Sequence, residues 1–206
     1  MSTTAMIPVY EVGTNLYVNL TNRCSCACTF CVRQLSDNGV TGEGSLWLEH
    51  EPSFDEVMAA FDAFDVDAYN EVVFCGYGEP TEAFDLLLDV ARAVKERYGK
   101  PVRVNTNGQG SLINGRNIAP AFAGVVDAVS VSLNTPDPAR YQELVRSRFG
   151  EEAFTGMLDF TREVHRYVPS VTMTTVGSTL TSKEEARCQE ICDELGVTYR
   201  IRPLMA

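Results

Sequence analysis

The sequence predicts an α/β fold, a partial TIM-like (β/α)6 barrel of parallel strands in a single domain. Short apolar, β-branched runs alternate with helical patterns, which is typical of βα units that build a parallel sheet. Polar residues recur at every second position of these runs, so one face of the sheet is polar, as expected of a sheet curled around a ligand. A chain of 206 residues, 45% of them hydrophobic, is long enough for one complete core.

Six runs are predicted to be the strands. They are Leu16–Thr21, Val72–Cys75, Val102–Asn105, Ala128–Asn134, Val171–Val176 and Thr198–Arg202. The polar residues predicted to share the ligand-facing side are Asn19, Thr21, Arg103, Asn105, Ser130, Ser132, Asn134, Thr172, Thr174, Arg200 and Arg202. Apolar residues between them, such as Val104 and Ile201, are expected to face the helices. For Thr172 and Thr174, ordinary hydroxyls at strand positions explain the pattern equally well.

The segments between the strands carry helix signals. Ser53-Phe54-Asp55-Glu56 is a capping box that predicts a helix through about Phe64. Ser182-Lys183-Glu184-Glu185 is a second capping box, before a helix that is expected to end at Gly196. The other predicted helices are Glu82–Tyr98, Arg116–Phe122, Pro138–Arg148 and Glu151–Tyr167.

Composition and charge argue against nucleic-acid-binding, membrane-spanning and disulfide-rich proteins. The net charge of −11 argues against a general nucleic-acid-binding surface. The sequence has no apolar run of about 18 residues, so no membrane span is expected. The N-terminus lacks the pattern of a signal peptide, which favours a cytoplasmic location. Seven cysteines, four of them crowded together, indicate a metal or cluster in a reducing compartment and not a disulfide framework.

The crowded cysteines follow the first predicted strand directly. Cys24, Cys28 and Cys31 are spaced C-x3-C-x2-C, and Phe30 precedes the last of them. Three thiolates on one loop can hold three irons of a cubane cluster and leave the fourth iron open to a ligand. The alternatives are a reduced surface loop or a zinc site, although zinc normally needs a second ligand pair that is absent here. Cys26 is expected to be a spectator, since the spacing is complete without it.

Further motifs follow the other strands, at the end where α/β barrels place their chemistry. Cys75-Gly76-Tyr77-Gly78-Glu79-Pro80-Thr81 combines glycines, which let backbone approach a ligand closely, with one carboxylate. Asn105-Thr106-Asn107-Gly108 is a polar turn after the third strand. The fourth strand ends in Ser130-Val131-Ser132-Leu133-Asn134. Any one of these motifs alone is more often an ordinary strand-to-helix turn.

Taken in order, these motifs resemble the radical S-adenosylmethionine (SAM) superfamily across roughly residues 10 to 206. The resemblance implies a [4Fe–4S] cluster on Cys24, Cys28 and Cys31. A SAM molecule would then be cleaved reductively to a 5′-deoxyadenosyl radical that abstracts hydrogen from a substrate. The SAM contacts implied are Phe30, Gly76, Tyr77, Gly78, Glu79, Pro80, Asn105, Asn107, Ser132 and Asn134. Glu79 would orient the SAM amino group. The fifth strand lacks the glycine-rich adenine motif of the family.

Within the superfamily, the chain resembles the small radical SAM proteins associated with TatD-type hydrolases. The segments that together carry that resemblance are Thr21-Asn22-Arg23-Cys24, Asn38-Gly39-Val40, Leu46-Trp47-Leu48-Glu49, Val73–Thr81 and Val104–Gly108. It implies one radical SAM core domain over residues 1–206, an electron donor such as flavodoxin or ferredoxin, and a TatD-type hydrolase as partner. Alternative functions are an activase that generates a radical on a partner protein, and a cluster- or zinc-binding module without catalysis.

Three further features take no part in the cleavage of SAM itself. The substrate candidates are Arg33, Arg116, Arg200 and Arg202, which could hold a carboxylate or phosphate. Residues 33–52 form a long insertion, which is predicted with equal weight to be a lid or a packed surface excursion. Cys188 and Cys192 lie four apart on the last helix, where a buried thiol pair is favoured over a metal site.

Overall fold

The computed structural model describes residues 6–34 and 45–203. Contacts between α-carbons divide the chain into two compact units. The first unit comprises residues 1–24 and 30–105, and the second comprises residues 25–29 and 106–206. The middle of the cysteine loop therefore belongs to the second unit.

The strands of the first unit begin with an antiparallel hairpin. Gly13 turns the chain between the two hairpin strands in the left-handed region, with φ of 60°, which glycine adopts without steric penalty. The second hairpin strand then pairs in parallel with the third strand, and the third with the fourth. The bounds are β1 Val9–Val12, β2 Asn15–Val18, β3 Val72–Phe74 and β4 Val102–Thr106.

The helices of the first unit are α1, Phe54–Ala60, and α2, Phe84–Tyr98. The predicted capping box before α1 is confirmed, because the Ser53 side chain accepts from the Glu56 amide. Short 3₁₀ turns follow α1 at Phe61–Ala63 and precede α2 at Pro80–Ala83. The buried face of α2 consists of Phe84, Leu87, Leu88, Val90, Ala91 and Val94.

Three parallel strands form the sheet of the second unit. They are β5 Ala128–Ser132, β6 Ser170–Val176 and β7 Thr198–Arg202. The helices are α3 Gly110–Ile113, α4 Pro138–Val145, α5 Glu152–Val164 and α6 Ser182–Leu195. Gly108 lets its own backbone lie close against α5 and β5, because a β-carbon there would lie 2.6 Å from Met157 Cγ and 2.8 Å from Val131 Cγ1.

The structure corrects two helix predictions. The segment predicted as one helix over Arg116–Phe122 is instead an irregular stretch followed by a 3₁₀ turn at Ala119–Phe122. The capping box of α6 is shifted by one residue, since Thr181 and not Ser182 is the N-cap that accepts from the Glu184 amide. Threonine and serine are both good N-caps, so the sequence pattern alone does not separate the two registers.

The strands also differ from expectation. The hairpin strand β1 was not predicted, and β2 ends at Val18, so Asn19 and Thr21 lie beyond its last residue. Ile201 was expected to face a helix but is 44% exposed, because α6, which contacts β7, does not cover it. No helix in the described part of the chain has both the length and the apolar character required to cross a membrane.

Candidate functional site around the cysteine loop

The three spaced cysteines are accessible thiols. Cys24, Cys28 and Cys31 are each half-buried, whereas Cys26, between the first two, is buried. None of the seven cysteines, all of which are described, forms a disulfide. Within residues 6–34 and 45–203, no three histidine, cysteine, aspartate or glutamate side chains form a group that could hold a metal ion. Cluster ligation by the three cysteines therefore stays a prediction.

The chain segment that leads into Cys24 is joined to the turn after β3. The Glu79 amide donates to the Arg23 carbonyl at 2.8 Å. A β-carbon at Gly78 would lie 2.1 Å from the Thr21 carbonyl oxygen and 2.7 Å from that of Arg23. Such distances exclude any side chain without a backbone shift. The glycine therefore brings Glu79 beside the start of the cysteine loop.

Glu79 is buried and held in one orientation. Its side chain is 4% exposed. Its Oε1 atom accepts from the Thr81 amide at 3.1 Å and from the Thr81 hydroxyl at 2.8 Å, which caps the 3₁₀ turn Pro80–Ala83. A buried carboxylate with fixed geometry can accept hydrogen bonds from a cationic group.

Polar side chains after β2 hold down the second half of the insertion. Asn19 Nδ2 donates to the Leu46 carbonyl at 2.7 Å. Asn22 bonds both backbone groups of Leu48, with its Nδ2 donating to the carbonyl at 2.8 Å and its Oδ1 accepting from the amide at 3.0 Å. The Leu46 and Leu48 side chains are each 2% exposed. Residues 45–48 are therefore packed against the protein, and the choice between lid and surface excursion for residues 33–52 stays a prediction.

An ion pair fixes the end of the same insertion. Glu51 pairs with Arg23 at 2.6 and 2.8 Å and accepts a short hydrogen bond from the Thr21 hydroxyl. Both Asn19 and Thr21 were predicted to face a ligand, and the structure instead directs them to the insertion. The first part of the insertion, residues 35–44, lies outside the described residues.

Arg33, one of the substrate candidates, contacts the protein itself. Its Nη1 atom donates to the carbonyls of Tyr77 at 3.4 Å and Asn22 at 3.5 Å, and its guanidinium lies 5.8 Å from the centre of the Trp47 ring. The Trp47 and Tyr77 rings form an edge contact at 5.2 Å. Tyr77 packs in a buried cluster with Tyr10 and Leu46. Arg33 thus links the cysteine loop, the insertion and the glycine turn.

Four polar residues among the predicted SAM contacts differ in their surroundings. Asn105 Oδ1 accepts from Arg103 at 2.8 Å, and Arg103 is paired with Glu71 at 2.7 Å. Asn107 uses both its amide nitrogen and its oxygen on protein groups. Asn134 is buried with φ of 64°, and its Oδ1 atom has no hydrogen-bond partner in the described structure. Ser132 is half-buried at the end of β5.

The other three arginine candidates lie in the second unit. Arg116 is exposed and lines a groove of about 350 Å³ with Asp159 and Glu163 of α5. On β7, Arg200 is exposed and Arg202 is half-buried. The described contacts give none of the three an arrangement that selects a substrate, so their role stays a prediction.

The cysteine pair of α6 is fully buried. Cys188 and Cys192 are both 0% exposed. Burial raises the pKa of the Cys188 thiol to about 11 and that of Cys192 to about 12. These are inert thiols of the core, which favours the buried-pair interpretation over a metal site.

Gln109 is a residue that the sequence did not indicate. It is 0% exposed, and its side-chain amide contacts Ser25, Cys26, Tyr141 and Ser147. A glutamine after a polar turn has no sequence signature, so only the fold reveals this contact with the cysteine loop.

Comparison with known proteins identifies the family. The model of the radical SAM superfamily matches residues 18–190. The chain belongs to the radical SAM superfamily. Proteins of this superfamily use a [4Fe–4S] cluster and SAM. The chain is also 31% identical over 151 residues to a GTP 3′,8-cyclase of Streptomyces coelicolor, an alignment that covers 71% of this chain and 40% of that protein.

Solved structures of radical SAM proteins share the fold. SuiB of Streptococcus suis, bound to its precursor peptide SuiA, matches 96% of this chain and 40% of its own, with 15% identity and a TM-score of 0.66. A radical SAM methyltransferase of Sphaerobacter thermophilus matches 95% of this chain and 68% of its own, with 17% identity and a TM-score of 0.60. The predicted fold class is thereby confirmed. The chain spans about 40% of the length of the cyclase and of SuiB.

Proposed function

We propose that this protein is a radical SAM enzyme in which Cys24, Cys28 and Cys31 hold the [4Fe–4S] cluster. The type of donor suits that cluster, because cysteine thiolates are the usual ligands of iron–sulfur clusters and these three thiols are accessible. When bound, the cluster supplies the electron that cleaves SAM to methionine and a 5′-deoxyadenosyl radical, which then abstracts hydrogen from the substrate. The chain's own residues bind SAM, orient it and exclude water.

The observation that carries this proposal is the close approach of Gly78 and Glu79 to Thr21 and Arg23. It sets Glu79, whose carboxylate is buried and oriented, next to the residue that precedes the cysteine loop. Glu79 would accept hydrogen bonds from the ammonium group of SAM, and Gly76, Tyr77 and Pro80 would shape the turn around it. The ammonium group would exchange its contacts with water for charge-assisted hydrogen bonds to this carboxylate.

The remaining SAM contacts follow the resemblance. Phe30 would place backbone against the adenine, and Asn105, Asn107, Ser132 and Asn134 would serve the ribose. The buried, unpartnered Oδ1 atom of Asn134 supports its role as an acceptor for a ribose hydroxyl. Asn107 has less capacity for such a role, since protein groups already engage its amide.

The substrate and the subfamily are finer proposals. The likeness to GTP 3′,8-cyclase supports a small molecule as substrate, and a nucleotide is the first class to test. Within the superfamily we place the chain with the TatD-associated proteins on the motifs quoted above. A flavodoxin or ferredoxin would supply electrons, a TatD-type hydrolase would be the partner, and the location would be cytoplasmic. Residues 1–206 would then form one radical SAM core domain.

The experiment that tests this function is anaerobic reconstitution with iron and sulfide, followed by dithionite and SAM. Wild-type protein should form 5′-deoxyadenosine, and Cys28→Ala should not, whereas Cys192→Ala should retain activity. Glu79→Gln should raise the KM for SAM roughly 10- to 100-fold, because one charged acceptor is lost. Glu96→Gln, on the exposed side of α2, is its matched control. If wild-type protein forms a cluster but no 5′-deoxyadenosine, the proposed function is wrong.

A further inference from the structure

The middle of the cysteine loop is attached to the last turn of α4. The amides of Ala27 and Thr29 donate to the carbonyls of Val145 and Leu144, both at 2.9 Å. The last carbonyls of a helix have no partner within the helix, so these loop amides satisfy groups that otherwise need water or a cap. Cys28 lies between the two bonded residues and is held by a backbone whose position α4 sets.

Cys26 is hydrogen-bonded to Asn107 and Gln109, which belong to the second unit as Cys26 does. Its Sγ atom, in a side chain 4% exposed, accepts from Gln109 Nε2 at 3.2 Å and from Asn107 Nδ2 at 3.5 Å. A thiol that turned towards a metal would deprive the Gln109 amide, which is 0% exposed, of this partner. The hydrogen bonds therefore oppose recruitment of Cys26 as a ligand.

Gln109 is fully engaged in holding this part of the loop. Its Oε1 atom accepts from the hydroxyls of Ser25 at 2.9 Å and Ser147 at 2.8 Å. Its Nε2 atom donates to Cys26 and to the Tyr141 hydroxyl, the latter at 3.2 Å. A glutamine amide has two donors and two acceptor lone pairs, and all four are used at a site with 0% exposure. Such a complete set fixes one side-chain orientation.

We propose that Cys26 is an anchoring thiol and not a cluster ligand, and that Gln109 is the positioning residue that fixes Ser25–Thr29 and, with it, Cys28. The part concerning the cluster rests on the function proposed above. The anchor itself is a property of the protein without iron. Removing the Gln109 amide frees Ser25–Thr29, whereas removing the sulfur of Cys26 but keeping an acceptor does not.

The first test uses iron-free protein and three variants. Gln109→Leu removes the amide at similar size, Cys26→Ser keeps an acceptor, and Cys192→Ser is a matched buried thiol in α6. The readouts are alkylation of each cysteine by iodoacetamide, located by mass spectrometry, and hydrogen exchange of the Ala27 and Thr29 amides. Gln109→Leu should speed Cys26 alkylation and amide exchange about tenfold, the effect of losing a typical buried hydrogen-bond set. Cys26→Ser should leave the exchange unchanged, and Cys192→Ser should speed it no more than its lower free energy of unfolding requires.

Unchanged labelling and exchange in Gln109→Leu would overturn the anchor. If circular dichroism shows that this variant does not fold, Tyr141→Phe removes only one of the four contacts. It should then raise Cys26 labelling by a smaller factor, and no change in this variant would equally overturn the anchor.

The second test uses reconstituted protein and the electron paramagnetic resonance spectrum of the reduced cluster. Cys26→Ser should keep full iron and the wild-type spectrum. Gln109→Leu should weaken iron retention about 10- to 100-fold, as loss of supporting hydrogen bonds does at other metal sites, and should broaden the spectrum. Iron loss in Cys26→Ser equal to that in Cys28→Ala would show that Cys26 is a ligand. Failure of wild-type protein to bind iron would refute the proposed function, while the iron-free test still decides the anchor.

Discussion

Two cysteine pairs in this chain share the same spacing but differ in the backbone that carries them and in their burial. Cys24 and Cys28 are four residues apart on the loop after β2, and Cys188 and Cys192 are four apart on α6. On the helix the spacing places both thiols on the buried face. On the loop it leaves both half-buried and accessible. The same spacing therefore gives buried thiols on a helix and accessible thiols on a loop.

Burial also separates the chemistry of the two pairs. The thiolate is the form that binds metals, and a buried apolar environment disfavours it. Burial holds the pKa of Cys188 at about 11 and that of Cys192 at about 12, so the helix pair is protonated at neutral pH. Cys24, Cys28 and Cys31 are half-buried, so their thiols remain accessible from outside the core.

The largest expected difference between the pairs is in iron binding. Cys24→Ala should reduce the bound iron and sulfide of reconstituted protein to background, because one of three cluster ligands is lost. Cys188→Ala should bind as much iron as wild type. Iron and sulfide analysis together with the visible absorption spectrum measures both variants. Equal iron loss in the two would break the distinction.

The second largest effect concerns stability, and here the helix pair should be the more sensitive of the two. Cys192→Ser places a hydroxyl at a position with 0% exposure, which should lower the free energy of unfolding by about 1–3 kcal/mol. Cys24→Ser is at a half-buried position and should change it by less than about 0.5 kcal/mol. Urea unfolding of the iron-free proteins measures both. A larger loss in Cys24→Ser would contradict the assignment of the helix pair to the core.

The smallest effect is a loss of stability at alkaline pH. A thiol whose pKa is higher in the folded than in the unfolded protein stabilises the fold below the unfolded value near 9, and this contribution is lost as pH rises towards 11 or 12. For each thiol of the helix pair, the free energy of unfolding should fall by about 1 kcal/mol between pH 8 and pH 10. Urea unfolding at both pH values should show a flatter dependence in Cys188→Ala. The same pH dependence of the free energy of unfolding in Cys188→Ala and wild type would show that burial does not raise the pKa of this thiol.

Much of the fold could be predicted because its signals are local. The predicted bounds of β7 agree with the structure, and the capping box at Ser53 is present with both of its hydrogen bonds. The β1 hairpin was missed because four-residue strands on either side of Gly13 carry too little periodicity to be recognised. The N-cap of α6 was placed one residue late, at Ser182, because Thr181 offers an equivalent hydroxyl.

The site was predictable only as far as its motifs are contiguous. Cys24, Cys28, Cys31 and Glu79 stand out by spacing and type. The contacts of Gln109 with Cys26, and of Asn22 with Leu48, join residues that are 83 and 26 positions apart, and no pattern in the sequence encodes such pairs. Polar residues at alternate positions were assigned to a ligand, yet Asn19 holds the insertion instead. A polar side chain near a strand end can serve the protein's own backbone, as Asn19 does for Leu46.

The most direct measurement is cysteine alkylation, located by mass spectrometry, in iron-free and reconstituted protein under anaerobic conditions. Cys24, Cys28 and Cys31 should label quickly without iron and become protected when the cluster forms. Cys26, Cys188 and Cys192 should label slowly in both states. Protection of Cys26 in place of any one of the three, or protection of the helix pair on iron loading, would contradict a three-cysteine cluster on this loop.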